Sequence, residues 1–82
     1  MIKHRSSPLL RLFPRKFDAV TLGRHVFFRS STPSERLIRH EAVHVGQYQR
    51  EGVVKFLVKY LYYSARYGYE QNPYEVEARD GL

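Results

Sequence analysis

His40-Glu41-Ala42-Val43-His44 sets two imidazoles four residues apart, with a carboxylate directly after the first. On a helix, residues four apart share one face one turn apart, so both rings can reach a single ion at about 2.0–2.1 Å. Neutral imidazole is a good zinc ligand near neutral pH. Zinc in turn lowers the pKa of a bound water toward about 7, and Glu41 is placed to take that water's proton as it attacks a carbonyl. The chemistry written in this pentapeptide is therefore metal-assisted hydrolysis.

Two histidines leave zinc under-coordinated, so a third protein ligand is required. The chain has no cysteine, which confines that ligand to His, Asp or Glu. His4, His25, Glu70, Glu75, Glu77 and Asp80 are the candidates. His4 and His25 have no helical support. Glu75 and Glu77 fall on a short helix beyond the motif, and because residues two apart point in nearly opposite directions, only one of them can face the ion. Glu75 has a competing role: it is the N3 acid of an Asn72-x-x-Glu75 capping box, and a carboxylate folded back on the Asn72 N–H cannot bind zinc.

Several elements must position these groups. Thr32-Pro33-Ser34-Glu35 is a helix start, with Thr32 as cap, Pro33 in the first turn and Glu35 reaching back. The motif helix then runs to about Glu51 and stops at Gly52. A second helix spans about Val53–Tyr67. Its polar positions Lys55, Lys59, Tyr62 and Arg66 form one narrow stripe, so it is expected to pack on most sides. Asn72-Pro73-Tyr74-Glu75 opens a short third helix. Before the motif, Phe17–Thr21 and His25–Arg29 read as a hairpin around Leu22-Gly23-Arg24. Val26 and Phe28 share one face of its second strand. Residues 1–16 read as a basic arm, broken by Pro8 and Pro14 and ordered only in part before Leu9.

At 82 residues the chain is one small domain, with 43% apolar and 27% charged residues. The fold class is α+β: a β-hairpin or short sheet on the motif helix, with two further helices, arranged as arm 1–16 and domain 17–82. Lys plus Arg number 14 against 8 acids, a net charge of +6. That permits anionic partners without naming one. With no nucleic-acid-binding module visible, the basic residues of the arm and Arg24, Arg29, Arg36 and Arg39 are read as a solvated face rather than a nucleic-acid or membrane contact. No stretch reads as a secretory signal or membrane span, so the default compartment is the cytoplasm, with signal-less export left open. Gln47, three residues past His44 on the same face, can hydrogen-bond near the site but is read first as a helix-surface amide.

Thr21-Leu22-Gly23-Arg24-His25-Val26-Phe27-Phe28-Arg29, then His40-Glu41-Ala42-Val43-His44-Val45-Gly46-Gln47, then Asn72-Pro73-Tyr74-Glu75-Val76-Glu77-Ala78 together resemble the bacterial minimal gluzincins. These are short zincin-fold, metallopeptidase-like domains, some of them associated with toxins and contractile injection systems. The resemblance implies that Glu75 is the third zinc ligand, beside His40 and His44, with Glu41 as general base. It implies that Val26, Phe27, Phe28 and Arg29 form the edge strand on which an extended peptide aligns by main-chain hydrogen bonds. It also implies a phenol near the oxyanion, for which Tyr69 and Tyr74 are the candidates. One departure is Arg79, where relatives carry an Asp that accepts from a ligand histidine.

The expected function is thus hydrolysis of peptide or protein substrates by a zinc metallopeptidase-like domain. Two alternatives stand beside it. One is a metal-stabilised interaction module that cleaves nothing; the other is a basic nucleic-acid-associated protein whose His pair is incidental.

Overall fold

The computed structural model describes residues 1–80. Strand β1 (Ile2–His4), β2 (Ala19–Leu22) and β3 (His25–Phe28) form one sheet, followed by α1 (Glu35–Glu51), α2 (Val53–Tyr67) and α3 (Pro73–Asp80). The α+β class read from the sequence is the one observed.

The hairpin is tighter than expected. Leu22 pairs with His25, so only Gly23 and Arg24 form the loop. Gly23 has φ +64° and Arg24 lacks a positive φ, the pattern of a type II′ turn, whose twist matches that of the strands it joins. Val26 and Phe28 are fully buried and pack with Val45 of α1, flanked by Ala19, Leu37 and Ile38. This cluster clamps the sheet to the motif helix.

Two expectations about the sheet are corrected. The first residues are not a loose arm. Ile2–His4 pairs in parallel with β3, and Pro8–Leu12 forms a 3-10 turn that buries Leu10 completely. Ser7 accepts from the Leu9 N–H at its start, and Pro8 fits a first turn, where its missing N–H costs nothing. The second correction follows from the first. Strand order is β1-β3-β2, so β3 is central and paired on both sides. Val26, Phe27, Phe28 and Arg29 therefore cannot be the edge strand for a peptide. Arg29 is instead committed to the chain before β2, donating to the Phe17 and Pro14 carbonyls at 2.8–3.1 Å.

β2 is the strand with an unpaired edge beside α1. The Arg29 N–H donates to the Asp18 carbonyl, which fixes the alternation of the ladder: Ala19 and Thr21 turn their main-chain groups away from β3. The Tyr48 hydroxyl donates to the Thr21 carbonyl at 2.9 Å on that side, which leaves the Ala19 N–H and C=O and the Thr21 N–H along the edge.

Helix α1 starts two residues later than its sequence signal. Ser34, not Thr32, is the cap and accepts from the Leu37 N–H at 3.1 Å, while the Thr32 N–H turns to Ser30. The position after the helix is as read: Gly52 has φ +87° and joins α1 to α2 with no intervening loop. A side chain at that φ is strained, so a glycine is required for so short a connection.

A second cluster, Tyr48, Phe56 and Tyr74 with Leu57, Tyr60 and Tyr63 around it, binds the three helices together. Phe56 is the one fully buried position of α2, and Val54, Val58 and Leu61 are exposed. The expectation that α2 packs on most sides is overturned: among the described residues no element lies against its outer face. Among the described residues, no helix is long and apolar enough to cross a membrane.

Candidate metal centre

The inward face of α1 is unusually polar. Glu41, His44 and Gln47 are buried beside Val45 and Tyr48. Among the described residues no buried side-chain nitrogen or oxygen lacks a partner, so this polarity is compensated throughout.

For His44 and Gln47 the compensation comes from α3, and for Glu41 from Thr21 of β2. Asn72 is wholly buried: its Oδ1 accepts from the Tyr74 N–H at 2.9 Å, and its amide donates to the Tyr60 carbonyl and to Ser64 Oγ at 3.0 and 2.9 Å. These bonds pin the start of α3 to α2 and turn Glu75 inward. Glu75 does not close a capping box. Its Oε1 lies 3.1 Å from His40 Nε2 and 3.2 Å from His44 Nε2, and its Oε2 accepts from the Tyr60 hydroxyl.

Donor atoms of His40, His44 and Glu75 all lie within 4.8 Å of one another. Ligands held at about 2.0–2.1 Å by one tetrahedral ion are separated by about 3.3–3.4 Å. The two observed His–Glu separations fall just inside that edge length. Two imidazoles and one carboxylate, with a side left open, are the donor set of a catalytic zinc site. The residues present therefore fit a divalent metal.

The tautomer of His44 sharpens this. Gln47 Nε2 donates to the Tyr74 carbonyl at 3.0 Å and to Glu77 Oε1 at 2.7 Å, both of which can only accept. The Gln47 carbonyl oxygen must then be the atom 2.8 Å from His44 Nδ1, and Nδ1–H donates to it. A neutral His44 so arranged presents the Nε2 lone pair to the Glu75 carboxylate. Two lone pairs at 3.2 Å repel unless a cation lies between them, either a proton on Nε2 or a metal ion. The titration of both groups follows. Burial would lower the His44 pKa, but the hydrogen bond to Glu75 and its charge raise it above the ordinary value. Burial would raise the Glu75 carboxyl, but His40, His44 and Tyr60 hold it well below the carboxylate range.

Glu41 is set apart from the donors. Thr21 Oγ1 donates to its Oε1 at 2.9 Å, and its Oε2 lies 4.0 Å from His40 Nε2. Burial raises its pKa, with His44, Thr21 and His40 partly opposing. A base with a raised pKa and one oxygen uncommitted is suited to take a proton.

Other sequence candidates are placed elsewhere. His4 and His25 bond to each other at 3.1 Å and stack near Phe27 on the sheet face away from α1. Glu77 accepts from Gln47 and Arg50, and Glu70 and Asp80 are exposed. The Tyr74 hydroxyl donates to Glu51, so Tyr74 is not available to an oxyanion; the ring is buried among Phe56, Tyr60 and Tyr63. Tyr69 does line the cleft beside Glu41. Gln47 and Tyr60 both belong to the shell around the donors, Gln47 through His44 and Tyr60 through Glu75, rather than to a solvated helix face or to packing alone. For Gln47 the signal in the sequence is its position one turn past His44 on the same face. Arg79 donates to the Glu70 carbonyl and serves no imidazole, so Gln47 fills for His44 the part that the resemblance assigned to an Asp at position 79.

Residues 15–52 match a family model described as the eCIS core domain. That match links the chain to proteins associated with contractile injection systems and covers just under half of it. It contains β2, β3 and α1, with His40, Glu41, His44 and Gln47, and ends at Gly52. Glu75 and Tyr60 lie outside it. No curated protein and no solved structure matches the chain.

Replacing Gln47 by Leu frees the His44 tautomer and leaves the ring unsupported. Loss of such a partner typically costs about 10–100-fold in metal affinity. A competition titration with a chromogenic chelator should show that loss while far-UV circular dichroism is unchanged; an unaltered affinity would remove Gln47 from the site.

Proposed function

We propose that the chain is a zinc-dependent, gluzincin-type metallopeptidase-like domain that hydrolyses peptide bonds in extended substrates. The observation that carries this reading is the convergence of His40 Nε2, His44 Nε2 and Glu75 Oε1 beside the uncommitted oxygen of Glu41. His40, His44 and Glu75 would hold the ion. When bound there, zinc supplies a Lewis acid for the scissile carbonyl oxygen and lowers the pKa of a water to about 7.

The rest is done by the chain. Thr21 occupies Glu41 Oε1, so the proton taken from the attacking water goes to Oε2, and from there it is delivered to the leaving amine. The unpaired edge of β2 takes the place first assigned to β3: the Ala19 N–H and C=O and the Thr21 N–H can bond an extended chain and hold its carbonyl over the site. Tyr69, with its hydroxyl pKa raised mainly by burial and further by Glu75 and Glu41, stays protonated at neutral pH and lines the cleft beside Glu41, where it can donate to a developing oxyanion.

The direct test is elemental analysis of the purified chain, followed by incubation of the loaded form with an unfolded protein substrate. One zinc per chain and chelator-sensitive cleavage are expected. Zinc without cleavage would replace this reading with the metal-stabilised interaction module. Iron would point to a different use of the same two-histidine, one-carboxylate set. Absence of any metal, with salt-sensitive DNA or RNA binding, would favour the nucleic-acid alternative.

A further inference from the structure

Two recesses flank Glu41, and they differ in character. One, of about 270 Å³, is walled by Lys16, Asp18, Ser34 and Arg36 together with His40 and Glu41. The other, of about 370 Å³, is walled mainly by apolar groups, among them Phe13, Leu22, Phe56, Leu57 and Leu61. They meet at Phe17, Ala19, Glu41 and Tyr69, which line both.

The recess that holds Lys16 and Arg36 has a built wall. Arg29 fastens the Pro14–Phe17 carbonyls, and Lys16 Nζ sits 5.4 Å from the Phe17 ring centroid and 5.6 Å from that of Tyr69. Among the described residues, neither Lys16 nor Arg36 makes an ion pair; the acids in their recess are Asp18 at its rim and Glu41, which Thr21 engages at its inner end. β2 runs from this recess, at Ala19, to the apolar one, at Leu22. A peptide pairing antiparallel with β2, the more stable mode, therefore runs the opposite way, from the apolar recess to the one that holds Lys16 and Arg36.

We infer that the cleft selects peptides carrying a bulky apolar side chain before the scissile bond and an acidic side chain after it. This rests on the peptidase reading above and adds the substrate class. The apolar recess removes hydrocarbon from water, and each methylene lost there is worth roughly tenfold or more in discrimination. Lys16 and Arg36 are exposed, so their contribution is smaller, and it rejects a basic residue as much as it attracts an acidic one.

The test uses the zinc-loaded full chain and a set of peptides that differ only at two adjacent central positions: Phe, Leu or Gly first, then Glu, Asn or Lys. Mass spectrometry should show Phe-Glu and Leu-Glu cut fastest, with Glu preferred over Lys by about threefold. In the Lys16→Glu/Arg36→Glu double variant that order should invert while the preference for Phe over Gly persists. Both positions are on the surface, so the fold is retained. Cleavage indifferent to charge, or a preference unaltered by the double variant, would overturn the inference. If no peptide is cut, the proteolytic reading fails separately, and fluorescence anisotropy of the same peptides on the loaded protein decides recognition. Charge-dependent affinity that inverts in the double variant supports the inference, and equal affinities refute it.

Discussion

The Glu41→Gln protein should bind zinc as the unsubstituted chain does and cleave peptides at a rate lower by about 10²–10⁴-fold. Glutamine keeps the size of the side chain and still offers an oxygen to Thr21 Oγ1, so the contact that orients position 41 is preserved. It cannot accept a proton at the other branch, which is the branch facing His40 Nε2 at 4.0 Å. Glu41 is adjacent to the donor set but makes no contact with Glu75 that the metal geometry needs, so stoichiometry by elemental analysis should not change. Paired measurement of metal content and kcat/KM separates the alternatives. A variant with full zinc and unchanged cleavage would mean that the base is another residue. A variant that loses zinc would mean that Glu41 acts as a ligand.

Much of this site is local, and local features are what a sequence displays. The spacing of His40, Glu41 and His44 needs only a helix, and the helix announces itself through its glycine stop at position 52. Val26 and Phe28 are read correctly as one buried face because strand alternation needs no knowledge of what lies opposite. Glu75 was ambiguous for a physical reason: a cap and a ligand ask for the same residue at the same place, and the choice is made by Asn72 bonding to Tyr60 and Ser64 on another helix. Gln47 and Tyr60 read as surface and packing residues for the same reason, since the contacts that turn them toward the site, beyond the local bond of Gln47 to His44, lie 27–30 and 15 residues away along the chain. The identity of the edge strand was lost because β1 comes from a segment with two prolines and no alternation. Only its parallel pairing with β3 reveals that the edges are β1 and β2, with β2 the one beside α1.

Removing the metal should destabilise the domain, and the size of the effect should grow as pH rises. A ligand at about 1,000 times its dissociation constant adds about 4.1 kcal/mol to folding stability. For a chain of this size, each 1 kcal/mol moves Tm by about 4–8 °C. The pH dependence comes from what replaces the metal. In the stripped protein a proton on His44 bridges to Glu75. The His44 pKa is raised on folding, so its contribution is complete below its ordinary value of 6.5 and is lost as pH rises through the folded-state value. Glu75 is depressed, so its contribution is present above 4.5 and is lost as pH falls through its folded-state value. Glu41 is raised, and its ionisation in the fold acts in the same direction as His44. Stripped protein should therefore be most stable just above pH 4.5, losing the Glu41 contribution first and then that of His44 as pH rises toward 8. The metal competes with the His44 proton, so its binding strengthens over that same rise. Thermal melts with and without chelator at pH 5.5 and pH 8 should differ by a few degrees at the first and by about 15–30 °C at the second under saturating zinc. Equal differences at the two pH values would show that proton and metal do not share the space between His44 and Glu75.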